Sequence, residues 1–193
     1  IRRHLEQAIP VLERGLAISE EHDLVHGICA NGVYLGWAML LSGNRTRAFE
    51  CLERGLERQA GAVLQWTRFG TVTAAAYLAA DQPDEAGRVI ARGLTAAAER
   101  DARGYRAPLL RLEAEVLLRD GDTARARQRA DEALEVAQEL ATHPEVAHCH
   151  ATLGRVAARL GDATSAAQHR DAARRLFQDL DMTFWAGRID DGR

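Results

Sequence analysis

Asn44-Arg45-Thr46-Arg47-Ala48-Phe49-Glu50-Cys51-Leu52-Glu53-Arg54-Gly55-Leu56 is the stretch on which the fold turns, because its pattern returns along the chain. It presents Ala48, Leu52 and then Gly55-Leu56. The same offsets carry Ala8, Leu12 and Gly15-Leu16; Ala86, Ile90 and Gly93-Leu94; and Ala126, Ala130 and Ala133-Leu134. A further set, Ala166, Arg170 and Ala173-Arg174, has lost its large apolar members. The leading alanines stand 40, 38, 40 and 40 residues apart. Residues at these offsets share one face of an α-helix. Each set therefore predicts a helix with a small residue that admits a close neighbour and a larger one that fills the space beside it.

Twelve residues before four of these alanines lies another small residue: Gly36, Ala74, Ala114 and Gly154. Glycine in mid-helix costs about 1 kcal/mol relative to alanine, and close helix packing is the natural compensation. Gly32 and Gly36, one turn apart, open a whole face for such packing. The turns inside each pair read Ser42-Gly43-Asn44, Asp120-Gly121-Asp122 and Leu160-Gly161-Asp162. The glycine ends one helix with a positive φ, and the Asn or Asp caps the next. One repeat uses Asp81-Gln82-Pro83-Asp84 instead, where Pro83 suits a first helical turn. Ala60-Gly61, Arg103-Gly104 and His143-Pro144 punctuate the chain between repeats.

No segment alternates as a strand, so the reading is all-α: antiparallel helix pairs forming an α-solenoid of about nine helices. It is one repeat domain over residues 1–193. A half-repeat at 1–19 is followed by repeats at about 20–60, 61–101, 104–141 and 144–180, then a C-terminal cap at 181–193. The stretch 174–190 extends the last helix and turns, bringing Phe177, Leu180, Met182, Phe184 and Trp185 over the open end of the stack. Ile1 begins in mid-pattern, which reads as a piece of a longer polypeptide.

A two-helix unit with a small residue in its first helix, Gly-Asp at the turn and Ala-x3-Leu-x2-Ala-Leu in its second resembles the tetratricopeptide repeat. The resemblance spans nearly the whole chain. The period is longer than the usual 34 residues. The aromatic expected four residues before the small residue is replaced by Gly32, Gly70, Leu110 and His150. Only Tyr77 supplies the tyrosine expected three residues after it; Met39, Leu117 and Ala157 stand there elsewhere. The resemblance implies a right-handed superhelix and a protein-binding role. Alanine- and arginine-rich versions are similar to the C-terminal arrays of large bacterial signalling ATPases, maltose-activator-type transcription regulators and nucleotide cyclases. The closing run Leu176-Phe177-x2-Leu180-x-Met182-x-Phe184-Trp185 is similar to the end of such cyclase arrays. This implies a regulatory or scaffolding module, not the ATPase or cyclase activity.

Composition narrows the chemistry. All 25 basic residues are arginine. Without lysine there is no P-loop and no Schiff-base or pyridoxal chemistry. Ser19, Ser42 and Ser165 are the only serines, and none stands in a nucleophile elbow. A net charge of −3 favours neither nucleic acid nor an anionic membrane. No apolar run approaches the roughly 20 residues that span a bilayer. Cys29, Cys51 and Cys149 are odd in number and sparse, which fits buried hydrophobes in a reducing cytoplasm.

Candidate metal ligands are few. His22 and His26, four apart, match the spacing of a His-Glu-x-x-His zinc helix, with Asp23 in the acid's place; no third ligand is evident, and a solvated first helical turn is the better reading. Glu145 and His148 form a Glu-x-x-His pair as in di-iron bundles, but no second set exists. His148 and His150, two apart, point to different faces. Arg125, Arg127 and Arg129 fan out around a helix near Asp122, Asp131 and Glu132, as a solvated face does. No cofactor is implied and catalysis ranks last.

The remaining candidate is a partner surface. In a stack of helix pairs the first helices line the concave side. The small-residue register places Val33, Trp37, Leu40 and Leu41 there, then Arg68, Thr71, Ala75 and Leu78. Arg111, Glu115, Leu118 and Arg119 follow, and then His148, Ala151, Arg155 and Arg159. Trp37, Leu41, Arg68, Arg111, Glu115, His148 and Arg155 are the expected partner-binding residues, running from an apolar end to an arginine-rich end that suits a segment with an acidic terminus. Leu5, Ile9, Leu12 and Leu16 predict an apolar stripe on the first helix, suited to self-association. An alternative is a small-molecule or peptide sensor with a pocket lined by Trp37, Trp66 and Tyr77.

Overall fold

The computed structural model describes residues 2–57 and 63–189. Among these residues the secondary structure is helical: α1 (Arg2–Glu21), α2 (Val25–Leu41), α3 (Arg45–Glu57), α4 (Val63–Ala79), α5 (Pro83–Glu99), α6 (Arg106–Arg119), α7 (Thr123–Glu139), α8 (His143–Arg159), α9 (Ala163–Asp179) and the single turn α10 (Thr183–Ala186). A 3-10 turn at Arg103–Tyr105 leads into α6. The chain divides into two compact units, residues 1–100 and 101–193. In the first, α2 pairs with α3 and α4 with α5, while α1 packs on α2 and α2 on α4. In the second, α6 pairs with α7 and α8 with α9; α7 and α6 both pack on α8, and α10 closes on α9.

One turn design recurs among the described residues. Asp81, Asp101, Gly121, Ala141, Gly161 and Asp181 all have positive φ, and they recur every 20 residues. Around most of them two bonds close the helix end: Asp122 N–H donates to the Leu117 carbonyl and Gly121 N–H to that of Leu118, and Thr142 and Ala141 repeat this on Ala137 and Gln138. These paired bonds satisfy carbonyls that a helix end leaves free. Asp122 and Asp162 then accept from the backbone N–H of Arg125 and Ser165, capping α7 and α9. Arg103-Gly104 and His143-Pro144 are thus not the turn makers the sequence suggested. Asp101 and Ala141 reverse the chain, and Pro144 lies inside the first turn of α8. Gly61 lies outside the described residues. Ala141 sits at φ 50° without the short polar side chain that eases this conformation. Ala141→Gly is therefore expected to raise stability by about 1 kcal/mol in urea denaturation.

Small residues set the helix spacing. A Cβ built on Gly36 would stand 2.6 Å from Leu52 Cγ and 2.7 Å from the Ala48 carbonyl oxygen. One turn earlier, a Cβ on Gly32 would stand 3.2 Å from the Gly55 Cα. Backbone lies against backbone here, so nothing can give way cheaply. By contrast, no atom lies within 4 Å of a Cβ on Gly87 in α5. Opposite signs follow: Gly36→Ala should cost about 1–3 kcal/mol by overpacking, while Gly87→Ala should gain about 0.5–1 kcal/mol from helix propensity. Thermal melts of the two variants check the pair.

The stripe on α1 finds a partner. Leu16 is buried in a cluster with Ile28, Leu35, Met39, Ala48 and Cys51, and Ile9 and Leu12 pack against it. Leu5 is half-buried. The apolar stripe expected to stand free is therefore turned onto α2. What α1 leaves exposed is a neighbouring face carrying Val11 and Ile18. At the other terminus, Phe177 is buried with Ala147 and Ala173, and Leu176, Met182, Trp185, Ala186 and Ile189 pack over them.

Candidate interaction surface

In the second unit, the first helices α6 and α8 bring Arg111, Glu115, His148 and Arg155 together. Arg111 and Glu115 lie one turn apart on α6. Glu145, His148, Thr152 and Arg155 follow one another along a single stripe of α8. Arg111 donates through Nε to Glu145 at 2.6 Å and through NH1 to Glu115 Oε1 at 3.0 Å. The same Glu115 oxygen accepts from Arg155 at 2.7 Å and from the Thr152 hydroxyl at 3.1 Å. The side chains of Arg111, Glu115 and Glu145 are only 13, 18 and 16% exposed. Two cations and two carboxylates thus neutralise one another within a largely buried network.

The network fixes the protonation states around it. Burial alone would raise the Glu115 carboxyl, but Arg155 and Arg111 outweigh it and hold the group below its ordinary range. Burial would likewise lower the Arg111 pKa, but Glu145 and Glu115 raise it above the usual guanidinium value. His148 is held down to about 3 by burial and by the nearby Arg111. Its ring stands edge-on to Phe177 at 4.9 Å and to Trp185 at 4.8 Å between centroids. Burial, helped by Glu145, pushes the Cys149 thiol up to about 12. His150 points elsewhere, its Nδ1 3.0 Å from that of His169.

This arrangement corrects the electrostatic expectation for Arg111. Its charge is committed to Glu115 and Glu145, so it does not offer an open socket for an acidic segment. Leu118 is buried and belongs to the core. Sequence reasoning missed Thr152, and it weighed Glu145 only as a metal ligand beside His148, not as the partner of Arg111. Arg125, Arg127 and Arg129 are each ion-paired, to Asp122, Asp131 and both Glu113 and Glu132.

In the first unit, Trp37 and Leu41 lie on α2 and Arg68 on α4. Trp37 is half-buried and packs against the cluster of Cys29, Val33, Leu52, Phe69 and Ala76. Leu41 is half-buried at the helix end, and Arg68 is exposed. Val33 and Leu78, expected to line the surface, are core residues instead. Phe69, wholly buried, is the floor of a small aromatic group. His26 lies 5.8 Å from its ring, Tyr34 meets it edge-on at 6.2 Å, and the Arg68 guanidinium sits 5.7 Å from its centroid. Tyr34 and His26 were not among the expected surface residues, although their spacing of eight places them on one helix face.

His22 and His26 do not share a helix. The chain turns between them at Asp23, whose φ is 50°, and α2 begins only at Val25. Among the described residues no group of three or more potential ligands is placed to hold a metal. Of the residues expected to line a sensor pocket, Tyr77 is buried and stacks on Phe49 at 5.4 Å between centroids, and Trp37 packs on the core. The Trp66 side chain lies outside the described residues. All three cysteines are buried and none is joined in a disulfide, and no described helix is long and apolar enough to cross a membrane.

Residues 105–179, spanning α6 to α9, match the family model described as Tetratricopeptide repeat. No curated protein matches the chain. The crystal structure of BtubC (BKLC) from P. vanneervenii is similar over 97% of this chain and 84% of that one, with a TM-score of 0.72 and 20% identity, a likeness of fold alone. The chain is a tetratricopeptide-like array of antiparallel helix pairs.

Proposed function

We propose that the chain is a non-catalytic interaction scaffold that binds a protein segment on its first helices, as a module of a larger signalling or transcription-regulating protein. The observation that carries this reading is the exposed Tyr34 and Arg68 on a floor of buried Phe69. Tyrosine and arginine dominate interface hot spots, and a rigid base spares the cost of ordering them on binding. The second unit supports the non-catalytic part. General acid–base chemistry needs a group that titrates near the working pH. His148 and Cys149 are pushed far from neutrality in opposite directions, and Glu115 is locked in ion pairs. A segment carrying a carboxylate or an aromatic side chain fits Arg68 and Tyr34 better than the occupied Arg111.

Peptides selected on the wild-type chain from a displayed random library test this reading. Tyr34→Ala and Arg68→Ala should each weaken a selected peptide by about tenfold, or about 1.4 kcal/mol. Glu50→Ala, on second helix α3, should leave it unchanged. Peptides indifferent to both first-helix variants would sink the proposal.

A further inference from the structure

His150 on α8 and His169 on α9 form a cluster that neither the ion-pair network nor the surface around Tyr34 uses. Their Nδ1 atoms stand 3.0 Å apart. The ring centroids are 5.2 Å apart with 35° between the planes, so the rings meet nitrogen to nitrogen. Both side chains are half-buried.

The register of the repeat sets this meeting. The residue one turn before the small residue of a first helix faces the residue three after the leading alanine of the second. A Cβ on Gly32 would stand 3.1 Å from the Cys51 carbonyl oxygen, and one on Gly70 3.6 Å from Val89 Cγ1. Leu110 and Arg129, then His150 and His169, hold the same two positions, 19 residues apart in every pair. The last pair alone carries two metal-binding side chains there. One turn on, α8 and α9 approach closely: a Cβ on Gly154 would stand 3.1 Å from Arg170 Cγ and 3.4 Å from the Ala166 carbonyl oxygen. Packed helices, rather than loops, thus hold the two imidazoles together.

Two nitrogens at this distance have room for one proton between them, so one ring donates N–H and the other offers a lone pair. Moving that proton to Nε2 of the donor ring frees a second lone pair at the same place and releases no proton. Imidazole nitrogens bind late first-row dications at about 2.0–2.1 Å, and two of them at right angles on one ion stand about 2.9 Å apart. The observed separation fits such a chelating pair, with a tilt of both rings that makes the lone pairs converge. Charge favours a cation here. Asp131 and Asp162 act on His169, opposed by Arg127, and Arg127 is itself paired with Asp131 at 2.8 Å.

We propose that His150 and His169 clamp a divalent Cu2+, Ni2+ or Zn2+ ion through their two Nδ1 atoms, stapling α8 to α9. Among the described residues no third ligand joins them, so water fills the remaining positions. This goes beyond the scaffold reading and is independent of it.

The probe is the metal alone, CuCl2 or ZnCl2, titrated into the full chain by calorimetry near neutral pH in a buffer without chelating groups. One equivalent should bind saturably, more tightly as Cu2+ than as Zn2+. Saturation with Zn2+ should raise the Tm by about 5 °C. His150→Gln and His169→Gln should each weaken binding about tenfold or more and abolish that rise. His22→Gln combined with His26→Gln should change neither. In the wild-type chain, whatever the variants do to folding, the ring NMR signals of His150 and His169 must shift or broaden before those of the other histidines. No saturable binding, binding that both single variants retain, or other histidines responding first overturns the proposal. So does binding without a rise in Tm, which marks adventitious coordination at the surface.

Discussion

Arg111→Ala should lower stability by about 3–5 kcal/mol, the cost of leaving buried carboxylates without their counter-ion. Glu115 would retain Arg155 and Thr152, but Glu145 would lose the guanidinium that donates to it at 2.6 Å. Against a total stability of about 5–15 kcal/mol for a typical domain, such a loss approaches unfolding. Arg54→Ala is the contrast. Its pair with Glu20 is formed by side chains 58 and 41% exposed, and such pairs contribute about 0–1 kcal/mol. Urea denaturation of the two variants should separate them by several kcal/mol. Replacing Arg111, Glu115 and Glu145 together by Met, Leu and Leu should recover most of the loss, because the penalty lies in the orphaned charge rather than in the pair. Arg155, 31% exposed, then turns to water. Equal effects of Arg111→Ala and Arg54→Ala would show that the network is solvated in solution.

Acid should weaken the second unit through His148. Its folded pKa, about 3, lies below the ordinary value of about 6.5. The unfolded chain therefore takes up a proton that the folded chain refuses. The neutral ring's contribution is fully present above about pH 6.5 and is lost as pH falls toward 3, at about 1.4 kcal/mol per unit. The groups facing the ring, Arg111, Arg155 and Glu115, do not reverse this, since the two cations oppose the imidazolium. Glu115 acts in the same direction, but only below the ordinary carboxylate range, as its lowered folded pKa is approached. His150 and His169, both lowered by burial, add the same sign. The contribution of His148 is therefore read as a difference. Between pH 6 and 4, wild type should lose about 3 kcal/mol more than His148→Leu. Parallel pH profiles would contradict a buried neutral His148.

The pairing of helices was legible because close approach leaves a mark in composition. Gly36 against Ala48, and Gly32 against Gly55, are small because backbones meet there. The Gly43, Gly121 and Gly161 turns were legible for a related reason: positive φ selects glycine. Asp23, Asp101 and Ala141 do the same work without that mark, so the turns between repeats were placed a few residues late and His22 was read onto the helix of His26. Arg111, Glu115, His148 and Arg155 were named together from the sequence, but the ion pairs that join the two arginines to carboxylates were not. Arg111 with Glu115 is an ordinary one-turn spacing. Glu115 with Arg155 lies one full period of 40 residues away, which puts both on the same stripe of successive first helices. That offset is the signal that would also have led to Glu145 and Thr152, displaced from the period by one or two helical turns. Trp37 gave no such signal, because an aromatic on a first helix packs on the core as readily as it faces a partner.

Hydrogen exchange on the chain, free and saturated with a peptide selected on it, tests the central claim most directly. Protection gained on α2 and α4, around Tyr34 and Arg68, is the predicted result. Protection confined to the second helices α3, α5, α7 and α9, with the first helices unchanged, would contradict it.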